Sequence, residues 1–228
     1  MKTKQAFTLL ELLVVVAVIG VLAALAFPVL SRGRSKADVV VCLNNLKQWG
    51  TALHLHAAEH RDFLPPEGWA NPPPVPSSAP HTNSWYVLLP AQLGIPWYYA
   101  MEWRTNAGID PGRSTWICPS NPRRSNGNNL FHYCVNGLID GSGSSDRPVR
   151  LTAVARPTSV VYMFDSKNLP AVHANQNNPG SFAHTNLHNG GANFVFLDGH
   201  VARHSAAAYW DRSTGRARTD NPDFVWIP

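Results

Sequence analysis

The chain has 228 residues, enough for one apolar anchor and one globular domain of ordinary size. Only 14% of residues are charged, the formal net charge is +5, and Pro (19), Gly (16) and Trp (8) are plentiful. That composition excludes an acidic or basic disordered tail and fits a loop-rich globular head.

In chain order, residues 1–6 are a short polar leader carrying Lys2 and Lys4. Residues 7–30 are an abrupt apolar run whose one charge is Glu11. As a helix, these 24 residues would be roughly 36 Å long, enough to cross a bilayer with some tilt. A carboxylate inside such a span costs about 2.5–3.5 kcal/mol near the bilayer centre, so Glu11 is a candidate functional residue. A cleaved secretory signal would have a core of about 7–15 residues followed by a small-x-small cut site. This core is longer and holds an acid, while Ala6, the small residue at a polar-to-apolar boundary, precedes it. A plain anchor accounts for the length but not for Glu11.

The stretch Ala6-Phe7-Thr8-Leu9-Leu10-Glu11 resembles the cleavage site of type IV prepilins, shared by type IV pilins and type II secretion pseudopilins. The resemblance implies a cut by a prepilin peptidase between Ala6 and Phe7, then N-methylation of Phe7. Ala6 stands where the family usually has Gly, and Pro28 matches a common helix-loosening position. Removal of Lys2 and Lys4 lowers the net charge from +5 to +3. Those two lysines should stay cytoplasmic, which implies a single pass through a bacterial inner membrane with the head in the periplasm. Glu11 would then neutralise the Phe7 amine of a neighbouring subunit, set the stagger of a filament and offset the desolvation of both charges.

After a short polar stretch at residues 31–36, Val39, Leu43, Leu46, Gly50, Leu53 and Ala57 recur at spacings of 4, 3, 4, 3 and 4. That period predicts one helix face running to about His60. The expected organisation is a leader at 1–6, a membrane or filament-core helix at 7–30, a head-packing continuation at 31–62 and a head at 63–228. Pro28 and Gly33 are expected to loosen the helix.

Seven of the 16 residues from 65 to 80 are proline, which predicts neither regular helix nor central strand there. Residues 85–90 and 97–99 supply Trp and Tyr anchors that pack under loops. Residues 159–165 and 193–197 read as strands. Asp198-Gly199 before residues 200–203 predicts a hairpin with a tight type I′ turn. The expected fold class is α+β, with a long helix against a small antiparallel sheet.

Residues 188–201, His followed after nine residues by Asp-Gly, are similar to a C-terminal signature of a pseudopilin-like family. Residues 42–48 (Cys-Leu-Asn-Asn-Leu-Lys-Gln) and 118–120 (Cys-Pro-Ser) look like the same family. This match implies an architecture and an assembly but no reaction. Asp165, His184, His188, Asp198 and His200 invite a metal or acid–base reading. However, no HExxH, Cys-x-x-Cys or Gly-x-Ser-x-Gly accompanies them, so no enzyme and no cofactor is expected. His188, Asp198 and Gly199 are expected to tie the terminal hairpin by hydrogen bonds. Asp165 and Asp198 are the calcium candidates, because some major pseudopilins hold that ion in a C-terminal loop. Of three cysteines, Cys118 and Cys134 could close one bridge with Cys42 a buried thiol, or all three could stay reduced.

The expected function is therefore a structural subunit of a type IV pilus-like or type II secretion pseudopilus filament. Its expected partners are further copies of itself, the prepilin peptidase and the inner-membrane assembly machinery. The alternative is a displayed binding module for DNA or an anionic surface polymer, using Arg113, Arg123, Arg124, Arg147, Arg150 and Arg156.

Overall fold

The computed structural model describes residues 9–106, 108–125, 127, 129–140 and 149–228. The chain divides into two compact units, 1–38 and 39–228. Ala6 and Phe7 lie outside the described residues.

In the first unit, helix α1 begins (Leu9–Glu59) and passes Pro28 and Gly33 without a break, so the loosening expected there is not seen. Residues Leu9–Phe27 are long and apolar enough to cross a membrane, and none of their side chains is buried. Glu11 sits in the first turn, where a carboxylate meets the positive end of the helix dipole.

In the second unit, the later part of α1 buries Cys42, Leu46, Trp49, Ala52, Leu53 and Ala57, with Asn45 and His56 among them. The stripe is wider than the expected spacing alone, because the helix is covered on two sides by irregular chain as well as by a sheet. Short helices α2 (Ala79–Thr82) and α3 (Trp85–Gln92) follow the proline-rich stretch. Trp85, Tyr86 and Tyr98 are buried against Trp49, Trp116 and Phe131. Trp49 meets Trp85 edge-on at 5.4 Å and Trp116 at 4.7 Å, so aromatic rings, rather than regular elements, fill this side of the core.

Five strands, β1 (Tyr133–Asn136), β2 (Val161–Asp165), β3 (Val172–His173), β4 (Gly191–Phe196) and β5 (Val201–Ser205), form one sheet in the order β3-β1-β2-β4-β5. β1 and β3 pair in parallel, so the sheet is mixed rather than purely antiparallel. It is also covered on both faces. Met163, Val195 and Leu197 face the α1 side, while Phe164, Phe194 and Phe196 pack under Tyr209, Phe224 and Trp226. The C-terminal segment supplies that second layer through α4 (Ala206–Tyr209) and the small ribbon of β6 (Trp210–Asp211) and β7 (Arg216–Ala217).

The β4–β5 hairpin departs from the expected turn. Gly199 N–H donates to Phe196 O (2.9 Å), and Phe196 N–H donates to His200 O (3.0 Å). Gly199 has φ +80°, whereas Asp198 is not at positive φ. The loop is thus the three-residue kind that ends on a left-handed glycine, which needs only one positive φ where a type I′ turn needs two.

Candidate functional site

The three stretches that carried the C-terminal resemblance converge in the head. On α1, Asn45 Nδ2 donates to Ile117 O (2.8 Å) and Ser114 O (3.1 Å), holding residues 114–118 against the helix. Cys118 is thereby set beside Cys42, one turn before Asn45, with the two Cα atoms 4.9 Å apart, and the two cysteines form a disulfide. This corrects the expected Cys118–Cys134 bridge. Cys134 is a free, buried thiol on β1, facing the aromatic layer under the C-terminal segment, and burial pushes its ionisation well above the ordinary range. Strand alternation puts it on the face of the sheet away from Cys118.

Cys118 N–H donates to His132 Nδ1 (3.0 Å), while His132 Nε2 lies 3.0 Å from Arg123 O. The Cys118 N–H and Arg123 O contacts suit a neutral ring protonated on Nε2, with Cys118 O a longer 3.2 Å from Nδ1. Burial holds His132 in that state by lowering its pKa to about 4.

His188 closes the cluster. Its Nε2 lies 3.5 Å from Cys118 Sγ and 3.1 Å from Asp165 Oδ2, at the end of β2. Asn193 N–H donates to the same Asp165 oxygen (2.7 Å). The loop before β4 is held by His188 N–H to Gly191 O (3.1 Å) and by Arg203 Nε to His188 O (2.6 Å). Gly191 has no substitute there, because a Cβ would sit 1.9 Å from His204 O. Cys42, Cys118, His188 and Asp165 are all at most 1% exposed, so no solute reaches them in this state. Asp165 Oδ1, His188 Nδ1 and both polar atoms of the Asn193 side chain are buried with no hydrogen-bond partner among the described residues. Unpaired buried polar groups of this kind cost about 1–3 kcal/mol each.

The other end of β4 is built differently. Asp198 Oδ1 accepts from His200 N–H (3.1 Å) and lies 2.6 Å from His200 Nδ1, at the surface. Gly199 O accepts from Lys47 Nζ (2.8 Å), and Gly199 packs on Gly50 of α1. The nine residues between His188 and Asp198 are thus the length of one strand, tied to α1 through Gly199 at one end and through Cys118 and its disulfide at the other. Asp165 and Asp198 stand at opposite ends of that strand, since Phe164 pairs with Phe194. The structure does not bring the two calcium candidates together. His184 is placed by its N–H to Asp165 O (3.0 Å), and burial lowers its pKa.

Four arginines of the alternative reading have separate local partners. Arg123 donates to Lys167 O, Arg124 to Asn121 O and Arg150 to Arg61 O, while Arg156 lies 3.8 Å from Asp223. Arg147 is outside the described residues. A cavity of about 520 Å³ lies elsewhere in the head, lined among others by His56, His60, Glu67 and Tyr162.

Sequence reading missed the meeting of Asp165 and His188 with Cys42 and Cys118. One signal was present: Cys42 falls four residues before Leu46 and seven before Trp49, on the buried face of α1.

Comparison with curated proteins and with solved structures gives no match. Residues 1–27 match the family described as the prokaryotic N-terminal methylation motif, and the match includes the apolar stretch Leu9–Phe27. The motif and the apolar helix together are consistent with a type IV pilin-like protein, and the likeness covers only these first 27 residues.

Proposed function

We propose that the chain is a structural subunit of a pilus-like or pseudopilus filament, matured by cleavage between Ala6 and Phe7 and methylation of Phe7. The observation that carries this reading is the helix within the matched motif. From Leu9 to Phe27 it is apolar around its whole circumference and exposed throughout. A helix without a polar face has two favourable surroundings, lipid or other such helices. Lipid would hold it before assembly, and like helices would hold it in the filament. Glu11 fits both states when the Phe7 ammonium of a neighbour meets it, because a paired buried carboxylate avoids most of the penalty of a lone one.

The head supports a structural part. His188 and Asp198 fasten the two ends of β4, and the disulfide joins α1 to residues 114–118. Mass spectrometry of the protein from bacterial membranes tests maturation: the first residue should be Phe7, carrying one methyl group. Electron microscopy of sheared or periplasmic material should show filaments that label with antibody to the head. A chain that keeps Met1, or that stays monomeric in the membrane under all conditions, would overturn this reading.

A further inference from the structure

The geometry points to a second state of the buried cluster: with the disulfide reduced, Cys42, Cys118, His188 and Asp165 form a tetrahedral site for a zinc-class divalent cation. Cys42, Cys118 and His188 already place their ligand atoms within 4.8 Å of one another. His188 Nε2 is 3.5 Å from Cys118 Sγ and 3.1 Å from Asp165 Oδ2. Ordinary zinc bond lengths in a tetrahedron give edges of about 3.6 Å for sulfur to nitrogen and about 3.3 Å for nitrogen to oxygen. Two edges of the coordination figure are therefore present before any metal arrives. Two movements complete the figure: the sulfurs part to about 3.8 Å once the bond between them is reduced, and the Asp165 carboxylate, which is not among the three groups within 4.8 Å of one another, draws in towards them.

The chemistry of the donors selects the cation. Two thiolates, an imidazole and one carboxylate suit zinc, whereas calcium takes six to eight oxygens. Burial favours a structural metal over an exchangeable one, since none of the four side chains meets solvent. An independent observation concerns Asp165. Its Oδ2 already accepts from Asn193 N–H (2.7 Å), while its Oδ1 is buried without a hydrogen-bond partner among the described residues, which leaves the carboxylate one oxygen to offer a cation. One proton on His188 Nε2 can serve the sulfur or the carboxylate, but a cation serves both.

The balance is simple. A dithiol reductant transfers two electrons and two protons to Cys42–Cys118 and leaves as its own cyclic disulfide. Metal entry then displaces the two thiol protons, giving a site with two thiolates and one carboxylate. The oxidised and metal-bound forms are alternatives: the first joins α1 to residues 114–118 by a covalent bond, and the second by a shared ion.

Cobalt(II) titration of the full chain in detergent tests this, because cobalt reports thiolate ligation and tetrahedral geometry in its absorption spectrum. In a Cys134→Ser background, any thiolate band must come from Cys42 and Cys118. The reduced chain should bind one cobalt per chain with a thiolate charge-transfer band, zinc should displace it, and the oxidised chain should give no band. His188→Ala and Asp165→Asn should each weaken cobalt binding by more than about 100-fold, the scale reached by losing outer-shell partners alone. Circular dichroism of the reduced chain, followed in parallel, covers the case in which reduction loosens the head; zinc should then restore the native spectrum. A reduced, folded chain without a thiolate band would overturn the assignment. So would a band indifferent to both His188→Ala and Asp165→Asn, or an unfolded reduced chain that zinc does not refold.

Discussion

Leu13 and Leu46 lie on the same helix, yet the first is 63% exposed and the second fully buried. Between Leu9 and Phe27 the helix has no polar face and, among the described residues, no buried side chain. From Val39 onward the same helix is amphipathic in effect, with Trp49, Leu53 and Ala57 inward and Glu59 and Thr51 outward. The contrast separates two sources of burial. The later half is completed by its own chain, through the sheet and the aromatic layer. The earlier half is left exposed, and under the proposed function lipid or further copies would cover it.

Four experiments can break or sharpen that comparison. The largest effect should come from Glu11→Val, which leaves the helix more apolar and so still inserted, but removes the carboxylate proposed to meet a neighbour's Phe7 amine. Filament yield by electron microscopy should fall to background while membrane fractionation is unchanged, and Glu11→Asp should be intermediate. Normal filaments from the Val variant would remove Glu11 from the assembly scheme.

Next is a matched pair of truncations. Trp49→Ala should cost the head about 4 kcal/mol, because it empties a site between Trp85 and Trp116 and loses the bond from Trp49 Nε1 to Thr115 O (3.1 Å). Leu13→Ala on the exposed half should move head stability by less than about 0.5 kcal/mol. Denaturant titration followed by tryptophan emission reads the head alone, since all eight tryptophans lie beyond Val39. Equal losses from the two variants would show that the first half packs on its own head.

A smaller effect concerns pH. Burial, reinforced by the stacked His60 ring 3.9 Å away, lowers the pKa of His56 to about 4 from its ordinary 6.5. The unfolded chain therefore binds the proton first, so stability is full above pH 6.5 and is lost as pH falls towards 4. The whole shift would correspond to about 3 kcal/mol, and solvent screening through the neighbouring cavity reduces this to about 1–2 kcal/mol. His56→Leu should flatten the slope in that window by this amount. An unchanged slope would show that His56 is solvated.

The smallest contrast uses two glycines. At Gly50 an added Cβ would lie 2.8 Å from Val195 Cγ2 and 3.4 Å from the Gly199 backbone, whereas at Gly20 nothing lies within 4 Å. Gly50→Ala should lower head stability by about 1 kcal/mol, the overpacking strain exceeding the gain in helix propensity. Gly20→Ala should leave the melting of the head where it was. A stabilised Gly50→Ala head would mean that Val195 moves aside freely.

The sequence by itself determined what is local. An apolar run of 24 residues is too long for a strand and makes a helix, and the motif over residues 1–27 is a contiguous string. The repeat in residues 39–57, the β-branched and aromatic runs around β2 and β4, and the Asp-Gly signal for a hairpin are likewise short-range, because helix and strand periods are set by the backbone. Tertiary structure alone decided the rest. Cys118 pairs with Cys42 and not with Cys134, because Asn45 holds residues 114–118 on α1 while β1 turns Cys134 to the far face of the sheet. β3 joins β1 in parallel, and the last segment covers the second face of the sheet through Phe224 and Trp226. Asp165 and His188 meet across 23 residues because β2 pairs with β4. A disulfide or a buried ion pair depends on distances between elements far apart in the chain, and no local periodicity encodes those distances.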